Sequence, residues 1–485
     1  MMAPSVVGGR PRWTCMTLTR LCALALVIAV RPAAAAAPMT ACTAFVDVSV
    51  VETSEPRVQS HRTVVVRSER IEGIYTASDP VPSTCLRIAG EGRFLIPGLT
   101  DSHLHLFGYS RGGEGDPATE GAILRMMLAN GVTTAVVMEG SPATVHLRDE
   151  IRARRVFGPT LYSAGPLIQA PNTGELPGRR TFQTPVEVTR EVEEEKHLGY
   201  DFVKVHGAMP AATYAALLAA SRRAGLPVIG HIPDNLGVDA ALNGGQKMIA
   251  HAESYLQTYF EFGRQLPSDP AEIGAMVRNV AARTARSGAF VQPTLSVFRQ
   301  IITQVADADA LLQRPQMRLL PPIAIRDWQP DRNPYLRHWS YGNLDHFKAE
   351  YRVMQRLVRG MRDAGVPILV GTDDLVPMQL PGFAVKEEME EMEEAGLTPF
   401  EVLKAATATS ARFLGTQHHS GAVRAGYDAD LVLLDANPLE DISNAFRQAG
   451  VMVHGHWLTE ACLQRALRDR TASRPAEISC DDTNG

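Results

Sequence analysis

Residues 95–105 have the sequence LIPGLTDSHLH, and this stretch is the strongest indication of the fold. The apolar run Phe94–Ile96 leads toward two histidines, His103 and His105. Residues two apart on a β-strand point to the same face, so both imidazoles are predicted to face one interior at the C-terminal end of a strand. Neutral imidazole is the commonest protein ligand for zinc. The His-x-His pattern alone is weak, because two hydrogen-bonded core histidines would give the same pattern.

Short apolar strands alternate with amphipathic helices in the middle of the chain. Two of the helices have a full start signal, with threonine at the cap, proline at the first position and glutamate at the third, in residues 184–187 and 398–401. Eight strands with intervening helices predict an α/β fold, the (β/α)₈ TIM barrel. The strand candidates are Phe94–Ile96 leading to His105, Thr133–Met138, Leu161–Ala164, Phe202–Val205, Val228–Gly230, Met248–His251, Phe290–Pro293 and Pro367–Gly371.

Both ends of the chain contain short runs of β-branched and other apolar residues that predict strands, without the helices that alternate with strands in the middle. One small β-sandwich domain formed by both chain ends is therefore expected beside the barrel. The predicted boundaries are 38–97 for the first part of the sandwich, 98–414 for the barrel, and 415–485 for the second part with the C-terminal tail. Residues 312–346 interrupt the alternation of strands and helices and are rich in prolines, arginines and aromatic residues. Such an insertion is either a lid over the active face or surface packing.

Polar residues end several of the predicted barrel strands. Lys204 stands inside the apolar run FVKV, and His231, His251 and Asp373 each follow a strand. A buried lysine is costly unless it is paired or modified. The C-terminal ends of barrel strands form the active face. Each residue alone could have a structural role, but core packing does not explain four histidines, a lysine and an aspartate at one end of a barrel.

The composition excludes several classes of protein. Of the 485 residues, 45% are hydrophobic and 21% are charged, as in an ordinary soluble globular protein. A disordered chain, a collagen-like repeat and a multi-span membrane protein are therefore excluded. With 6% aromatic residues and a net charge of −5, no nucleic-acid partner is expected.

The first 37 residues have the layout of a secretory signal peptide. Arginines at positions 10, 12 and 20 precede the apolar run Leu21–Val30, which is too short to span a bilayer, and the small residues Ala33–Ala37 follow. Cleavage near Ala36 or Ala37 is predicted, with export to the periplasm or the outside and no transmembrane span in the mature form. A lipid anchor on Cys42 is the less favoured alternative.

Four cysteines remain after this cleavage. An oxidising compartment permits two disulfides among them, and four cysteines allow three pairings. The local pairs Cys42–Cys85 and Cys462–Cys480 are favoured, with free buried thiols as the alternative.

These motifs resemble the amidohydrolase superfamily, in its binuclear metal branch. Residues 97–105 resemble the opening motif of that family, Ala129–Thr134 its second-strand motif, Gly371–Asp373 its eighth-strand motif and Gly426–Val432 the strand that closes its small domain. The likeness covers nearly all of residues 44–460 in order. It is greatest to the imidazolonepropionase-like and prolidase-like exported members.

The resemblance implies a binuclear metal site. Two divalent ions, zinc as the first choice, would share a hydroxide and polarise the substrate carbonyl. Lys204 would be carboxylated by CO₂ and bridge the ions. Asp373 would act as general base and pass the proton to the leaving group. The implied metal ligands are His103, His105, Lys204, His231, His251 and Asp373. The implied reaction is hydrolysis of an amide or peptide-like C–N bond in a small molecule.

The sequence indicates the type of reaction more clearly than it indicates the substrate. Dipeptidases of the family carry His-Ala-Tyr or His-Ala-His after the fifth strand, where this chain has His-Ile-Pro at 231–233, and this weighs against a peptide. Candidates for substrate contact lie just past strand ends, where each could equally satisfy its own loop: His206, Tyr255, Gln257 and Thr294. Glu139, at the end of the second strand, is ambiguous in the same way.

Other functions remain open on the same barrel. A mononuclear cyclic-amide hydrolase or deaminase would not need Lys204. A lactonase or phosphotriesterase could use the same metal centre, and a non-catalytic binding protein would be expected to have lost ligands. The sequence also leaves a homo-oligomer open.

Overall fold

The computed structural model describes residues 42–106, 117–171, 180–260, 267, 269–322, 325–338 and 341–468. The predicted signal peptide, residues 1–37, and Cys480 lie outside these ranges. Within them, no helix combines the length and the apolar character that crossing a membrane requires.

Strands, α-helices and short 3-10 helices follow one another along the described chain. The strands are β1 (Cys42–Val51), β2 (Val58–Arg67), β3 (Arg70–Thr76), β4 (Leu86–Ala89), β5 (Phe94–Pro97), β6 (Leu99–Leu104), β7 (Val132–Val137), β8 (Thr160–Gln169), β9 (Arg180–Thr181), β10 (Phe202–Val205), β11 (Val228–Gly230), β12 (Met248–Ala250), β13 (Phe290–Gln292), β14 (Leu431–Leu434), β15 (Gln448–Val453) and β16 (His456–Thr459). The α-helices are α1 (Pro117–Ala129), α2 (Pro142–Arg152), α3 (Pro185–Leu198), α4 (Ala211–Ala224), α5 (Val238–Gly244), α6 (Ala252–Thr258), α7 (Pro270–Ser287), α8 (Leu295–Leu312), α9 (Pro334–His338), α10 (Leu344–Asp363), α11 (Phe383–Glu394), α12 (Pro399–Ala405), α13 (Ala408–Leu414) and α14 (Glu460–Arg468). The 3-10 helices are Pro315–Leu319, Arg326–Trp328, Tyr341–Asn343 and Ile442–Phe446. Helices α3 and α12 begin at the two predicted capping boxes, which confirms both start signals.

Both chain ends contribute to one small domain, as the sequence predicts, and the strands of this domain form one mixed sheet. Its strand order is β16-β15-β14-β5-β1-β2-β3, with β4 beside β1, and the antiparallel pair β14–β5 joins the two ends. The sheet has a hydrophobic cluster of its own, which includes Phe45, Leu95 and Leu431. The predicted disulfide Cys42–Cys85 ties the start of β1 to the chain before β4. Cys462 is also disulfide-bonded.

The barrel is built from parallel strands in the order β6-β7-β8-β10-β11-β12-β13. Residues 367–371 take the place of the eighth strand. The Leu369 N–H donates to the Val291 carbonyl on one side, and the Ser102 N–H donates to the Val370 carbonyl on the other. Helices intervene between these strands along the chain, so the predicted (β/α)₈ barrel with a small second domain is confirmed.

The prediction of the first barrel strand was wrong. Phe94–Ile96 lies in β5 of the chain-end sheet, and the first barrel strand is β6, which begins at Leu99. The apolar run misleads because β5 is covered on both faces: Leu95 packs in the cluster of the small domain and Ile96 in that of the barrel. The chain passes from one sheet to the other at Gly98, where any side chain would collide with β7.

Candidate metal centre

The four predicted histidine ligands come together at the C-terminal end of the barrel. The imidazole centroids of His103 and His105 lie 5.3 Å apart, and those of His231 and His251 lie 4.5 Å apart. All six predicted metal ligands line one cavity of about 200 Å³. The structure therefore brings the whole predicted ligand set to one place.

Strand ends and strained turns position these side chains. His103 stands in β6 and Lys204 in β10, whereas His251 and Asp373 follow the ends of their strands. The φ angles of His251 and Asp373 are +68° and +53°, in the left-handed region that residues with a side chain rarely adopt. Such strain concentrates at functional sites. The Asp373 N–H donates to the His103 carbonyl at 3.0 Å, which fixes the eighth segment against the first strand.

A chain of hydrogen bonds assigns the proton on the His103 ring. The Ser102 hydroxyl donates to the Val370 carbonyl at 2.5 Å, so its oxygen accepts from the Gln292 amide nitrogen, also at 2.5 Å. The Gln292 amide oxygen then faces Nδ1 of His103 at 2.6 Å and accepts from it. By this network Nδ1 is protonated, and Nε2 has a bare lone pair.

The same reasoning applies to His251. The Thr294 hydroxyl donates to the Pro293 carbonyl at 2.8 Å and lies 2.8 Å from Nδ1 of His251, so it accepts from that nitrogen. Nε2 of His251 is therefore also unprotonated. The structure thus places Thr294, which the sequence nominated for substrate contact, against Nδ1 of a predicted metal ligand.

Burial favours the neutral form of three of the imidazoles, while Asp373 stays charged. Burial lowers the pKa of His103 to about 4 and holds the pKa values of His231 and His251 well below the usual range. Burial would raise the pKa of Asp373, but the adjacent His103 and His105 hold it well below its usual value. At neutral pH the site therefore offers uncharged nitrogens and a carboxylate, the protonation states that bind metals.

The donor atoms face one another in an arrangement that suits a cation. Nε2 of His103 and Nε2 of His105 both lie 3.0 Å from Oδ1 of Asp373. Because Nε2 of His103 carries no proton by this assignment, a lone pair faces a carboxylate oxygen, and a positive charge between the two atoms, from a proton or a metal ion, makes the contact favourable. His251 also offers a ligand atom, within 4.8 Å of those of His103 and Asp373. Among the described residues none hydrogen-bonds the buried Nδ1 of His231. The residues fit a zinc-like divalent ion.

Lys204 is a buried lysine in the wall of the cavity. Its side chain is 1% exposed, and burial lowers the pKa of its amine to about 8, against the opposing charges of Asp373 and Glu139. The side chain passes Gly230, where a Cβ would lie 2.7 Å from Cδ of Lys204 and where φ is +115°. Glycine at this position is therefore required by the lysine as well as by the backbone.

Two further buried aspartates, which are not in the predicted ligand set, hold the backbone of this region. Asp101 accepts from the His103 N–H at 3.0 Å and from the Thr372 N–H and hydroxyl at 3.1 and 2.7 Å. Asp374 accepts from the His105 N–H at 2.9 Å. Both could have been noticed as acids within two residues of a predicted ligand, Asp101 beside His103 and Asp374 beside Asp373.

The other residues nominated for substrate contact fall in different places. His206 lines the cavity. Tyr255 lies in the hydrophobic core, with its hydroxyl 3.2 Å from that of Thr284. Gln257 hydrogen-bonds Glu253, which itself lines the cavity. Of these three, His206 alone belongs to the described wall of the cavity.

An apolar wall of the cavity was missed by the sequence analysis. Val297 and Ile301 on α8 and Phe347 on α10 form part of it, and Tyr335 of the predicted insertion completes it. The signal was the helical spacing of apolar residues on α8. The insertion therefore borders the cavity, as the lid interpretation expects.

The sequence was also compared with known protein families. The model of the amidohydrolase family matches residues 94–458, which is more than half of the chain. The chain belongs to the amidohydrolase family. The match begins with β5 and ends in β16, so it includes every strand of the barrel.

Several known proteins are similar to this amidohydrolase. Ochratoxinase of Aspergillus niger is 24% identical over 445 residues, which covers 80% of each chain. The solved structure of bottromycin amidohydrolase has a TM-score of 0.70 at 24% identity, over 90% of this chain and 93% of the other. An Xaa-Pro dipeptidase with bound methionine has a TM-score of 0.65 at 19% identity, over 86% of this chain and 100% of the other. The two solved structures share the fold of this chain, and a shared fold alone does not determine the chemistry.

Proposed function

We propose that this amidohydrolase cleaves an amide or peptide-like C–N bond of a small molecule and depends on two divalent metal ions. The observation that carries the proposal is the convergence of four histidines, a carboxylate and a buried lysine on one cavity at the active face of the barrel. Membership of the amidohydrolase family supports the type of bond.

The six converging residues hold the two ions, with zinc as the first choice. When bound, the ions supply Lewis-acid polarisation of a carbonyl and lower the pKa of water. Gln292 and Thr294 keep the lone pairs of His103 and His251 available for this purpose.

Lys204 binds the ions as a carbamate. Its lowered pKa supports this, because only the uncharged amine attacks CO₂. In that reaction an N–C bond forms, the amine releases a proton, and the product is an anion with two oxygens in place of a buried ammonium. The carbamate removes the cost of a buried cation beside two metal ions.

Asp373 moves the proton during hydrolysis. Its carboxylate is ionised at neutral pH, so it is able to accept the proton of the attacking water. It then gives this proton to the leaving nitrogen, which departs as a neutral amine. The apolar wall around Val297 and Ile301 limits the access of other water molecules.

The test combines metal analysis with a substrate panel. Protein produced with zinc is expected to hold two ions per chain by elemental analysis and to hydrolyse members of a panel of N-acyl amino acids, dipeptides, simple amides and lactones. The panel includes ochratoxin, after which the Aspergillus niger relative is named. The control is the same protein after chelation, which should be inactive and regain activity with zinc and bicarbonate.

Each alternative function gives a different result in this test. One ion per chain with full activity would favour the mononuclear hydrolase, and turnover of lactones alone would favour a lactonase. Binding of panel members without turnover of any would contradict an enzyme and favour a binding protein.

We also propose that the chain is exported, with cleavage near Ala36 or Ala37. The disulfide Cys42–Cys85 supports this, because disulfides persist in oxidising compartments. N-terminal sequencing of the active protein tests it, and an active protein that still begins at Met1 would contradict it.

A further inference from the structure

The insertion contributes one side chain to the cavity that none of the predicted roles has used. Tyr335 lies on α9, and its ring packs against a cluster formed by Val297 and Ile301 of α8 with Val376 of the loop after Asp373. The same side chain lines the cavity beside the predicted metal ligands. An aromatic ring from a distant segment thus completes the apolar wall of the site.

Asn333 holds this ring in position. It is fully buried, and its amide nitrogen donates to the Gln304 side-chain oxygen at 2.7 Å. Gln304 in turn donates to the Pro377 carbonyl at 2.9 Å, while the Asn333 side-chain oxygen accepts the Tyr335 N–H at 3.0 Å. The insertion is therefore fixed both to α8 and to the loop that follows Asp373, and Asn333 acts as a positioning residue.

Among the residues that the structure describes, the hydroxyl of Tyr335 has no hydrogen-bond partner, although the side chain borders a cavity and is only partly exposed. Burial raises the pKa of the phenol, and the charges of Asp373 and Glu253 raise it further, so the group stays protonated. A donor of this kind gains a hydrogen bond when a ligand with an acceptor enters the cavity.

The cavity limits the size of such a ligand. Its volume of about 200 Å³ is below the range of about 300–1,000 Å³ usual for small-molecule pockets. It accommodates one compact group beside the metal ligands. The surfaces of Val297, Ile301 and Tyr335 that face this group are apolar or aromatic.

We propose that Tyr335 determines the substrate specificity of this amidohydrolase. Together with α8, its ring binds a compact aromatic or similarly apolar group that flanks the scissile bond, and its hydroxyl donates a hydrogen bond to a polar atom of the substrate. The proposal rests on the proposed function and names the substrate class of the same site: amides with an apolar, aromatic-sized group next to the bond that is cleaved.

Three small amides test this proposal. N-methylacetamide has no aromatic group, N-methylbenzamide has one on the acyl side, and acetanilide has one on the amine side. The zinc-loaded protein is expected to have a higher kcat/KM for at least one aromatic amide than for N-methylacetamide. Tyr335→Phe should lower kcat/KM about 2- to 10-fold and keep the preference, because one hydrogen bond is lost. Tyr335→Ala should reduce the preference itself about 10-fold or more, because apolar contact area is lost. Zinc content should stay the same in both variants.

A second tyrosine provides the control. Tyr427 belongs to the small domain, and its hydroxyl donates to the Gln417 carbonyl at 2.9 Å, so Tyr427→Phe should leave kcat/KM and the preference unchanged. A wild-type enzyme that hydrolyses these amides without any aromatic preference would overturn the proposal, and so would Tyr335 variants that change only the melting temperature. Either result would leave the proposed function intact.

Calorimetry separates this proposal from the proposed function. If the wild type hydrolyses none of the amides, the binding of benzoate and of acetate to the zinc-loaded protein is compared. Tighter binding of benzoate that Tyr335→Ala removes would support the aromatic subsite even though the proposed reaction had failed. Equal binding of the two acids, or no binding, would overturn the subsite as well.

Discussion

Nδ1 of His103 lies 2.6 Å from the side-chain oxygen of Gln292, which stands on the seventh strand of the barrel. Gln292 is itself held by Ser102, whose hydroxyl donates to a backbone carbonyl. The orientation of the His103 ring therefore depends on a hydrogen-bond chain that ends in the backbone of the barrel. Such supporting contacts to a histidine ligand tune metal affinity as well as ring position.

Gln292→Leu tests this support. The variant keeps the size of the side chain but removes the acceptor for Nδ1–H, so His103 is free to turn and to change its tautomer. Zinc affinity is expected to fall about 10- to 100-fold, measured by competition with a chromogenic chelator. The exposed Gln417→Leu is the control and should bind zinc as the parent does. Unchanged affinity in Gln292→Leu would contradict the role of the hydrogen-bond chain.

Asp373→Asn is expected to abolish turnover while the fold stays intact. Asparagine tolerates the left-handed backbone of this position, but an amide cannot accept the proton. General acid–base catalysis contributes about 10²–10⁴-fold, and a rate loss of at least this size should be seen in kcat at an unchanged circular dichroism spectrum. Asp363→Asn, at the exposed end of α10, is the control. A rate within a few-fold of the parent would place the base elsewhere, with Asp374 as the first candidate.

Lys204→Ala is expected to lower the metal content and to remove activity, because the proposed carbamate could not form without the lysine. Added acetate or propionate should restore part of the activity by taking the place of the carbamate. Elemental analysis and rates with and without these acids are the measurements, and the exposed Lys196→Ala is the control. Two tightly held ions with parental activity in Lys204→Ala would refute the binuclear site and favour the mononuclear hydrolase.

Gly230→Ala should disturb the site without replacing any of the predicted ligands. The new Cβ would lie 2.3 Å from the Val205 carbonyl oxygen and 2.7 Å from Cδ of Lys204, so the backbone of β10 and the lysine both have to shift. We expect a loss of stability of about 1–3 kcal/mol from overpacking, together with a lower zinc content. Gly225→Ala is the control, since φ there is +64° but nothing lies within 4 Å of its Cβ, and it should cost stability alone. Parental zinc content in Gly230→Ala would contradict the proposed constraint.

His454 makes folding sensitive to acid at the contact between the small domain and the barrel. Its Nε2 donates to the Gly158 carbonyl at 3.1 Å, and burial lowers its pKa from 6.5 to about 4. The unfolded chain therefore binds this proton more tightly, so the stabilising contribution is full above about pH 6.5 and is lost as the pH falls toward 4. Between pH 7 and pH 5 the loss from this group amounts to about 2 kcal/mol.

His454→Gln keeps a donor for this carbonyl but does not titrate. Urea unfolding of the variant at pH 7 and pH 5 should show a smaller decrease in the free energy of unfolding than the wild type shows. The exposed His456→Gln serves as the control and should follow the wild type. An equal decrease in wild type and His454→Gln would mean that this histidine does not titrate between those pH values.

The convergence of the six residues at the candidate site was predictable, because each of them stands out from its neighbours in the sequence. Lys204 is a charged residue inside a buried apolar strand, and His231 and His251 directly follow such strands. The ends of parallel barrel strands meet at one face, so a local pattern was enough to bring distant residues together. The fold class followed from the same alternation of strands and helices.

The supports of these ligands were not predictable in the same way. Thr294 was nominated for substrate contact because it follows a strand, but its φ of +49° belongs to a turn that brings its hydroxyl against His251. The alternation of residues along a strand does not predict a left-handed turn at the residue that follows the strand. Gln292 is visible as a polar strand end, yet its partner His103 is 189 residues away. Phe94–Ile96 was wrongly assigned to the barrel because a strand that is buried on both faces has the same apolar sequence whether it belongs to the barrel or to the small domain.

The join between β5 and β14 has a consequence for how the protein is made. Arg93, just before β5, bonds Asp435, just after β14, across 342 residues of sequence. During synthesis β5 therefore waits with an open edge until the whole barrel has been translated, and such an edge is a template for wrong pairing. The small sheet can be completed only after β14 has been synthesised. A chain truncated before β14 would therefore leave the apolar strand β5 exposed at one edge.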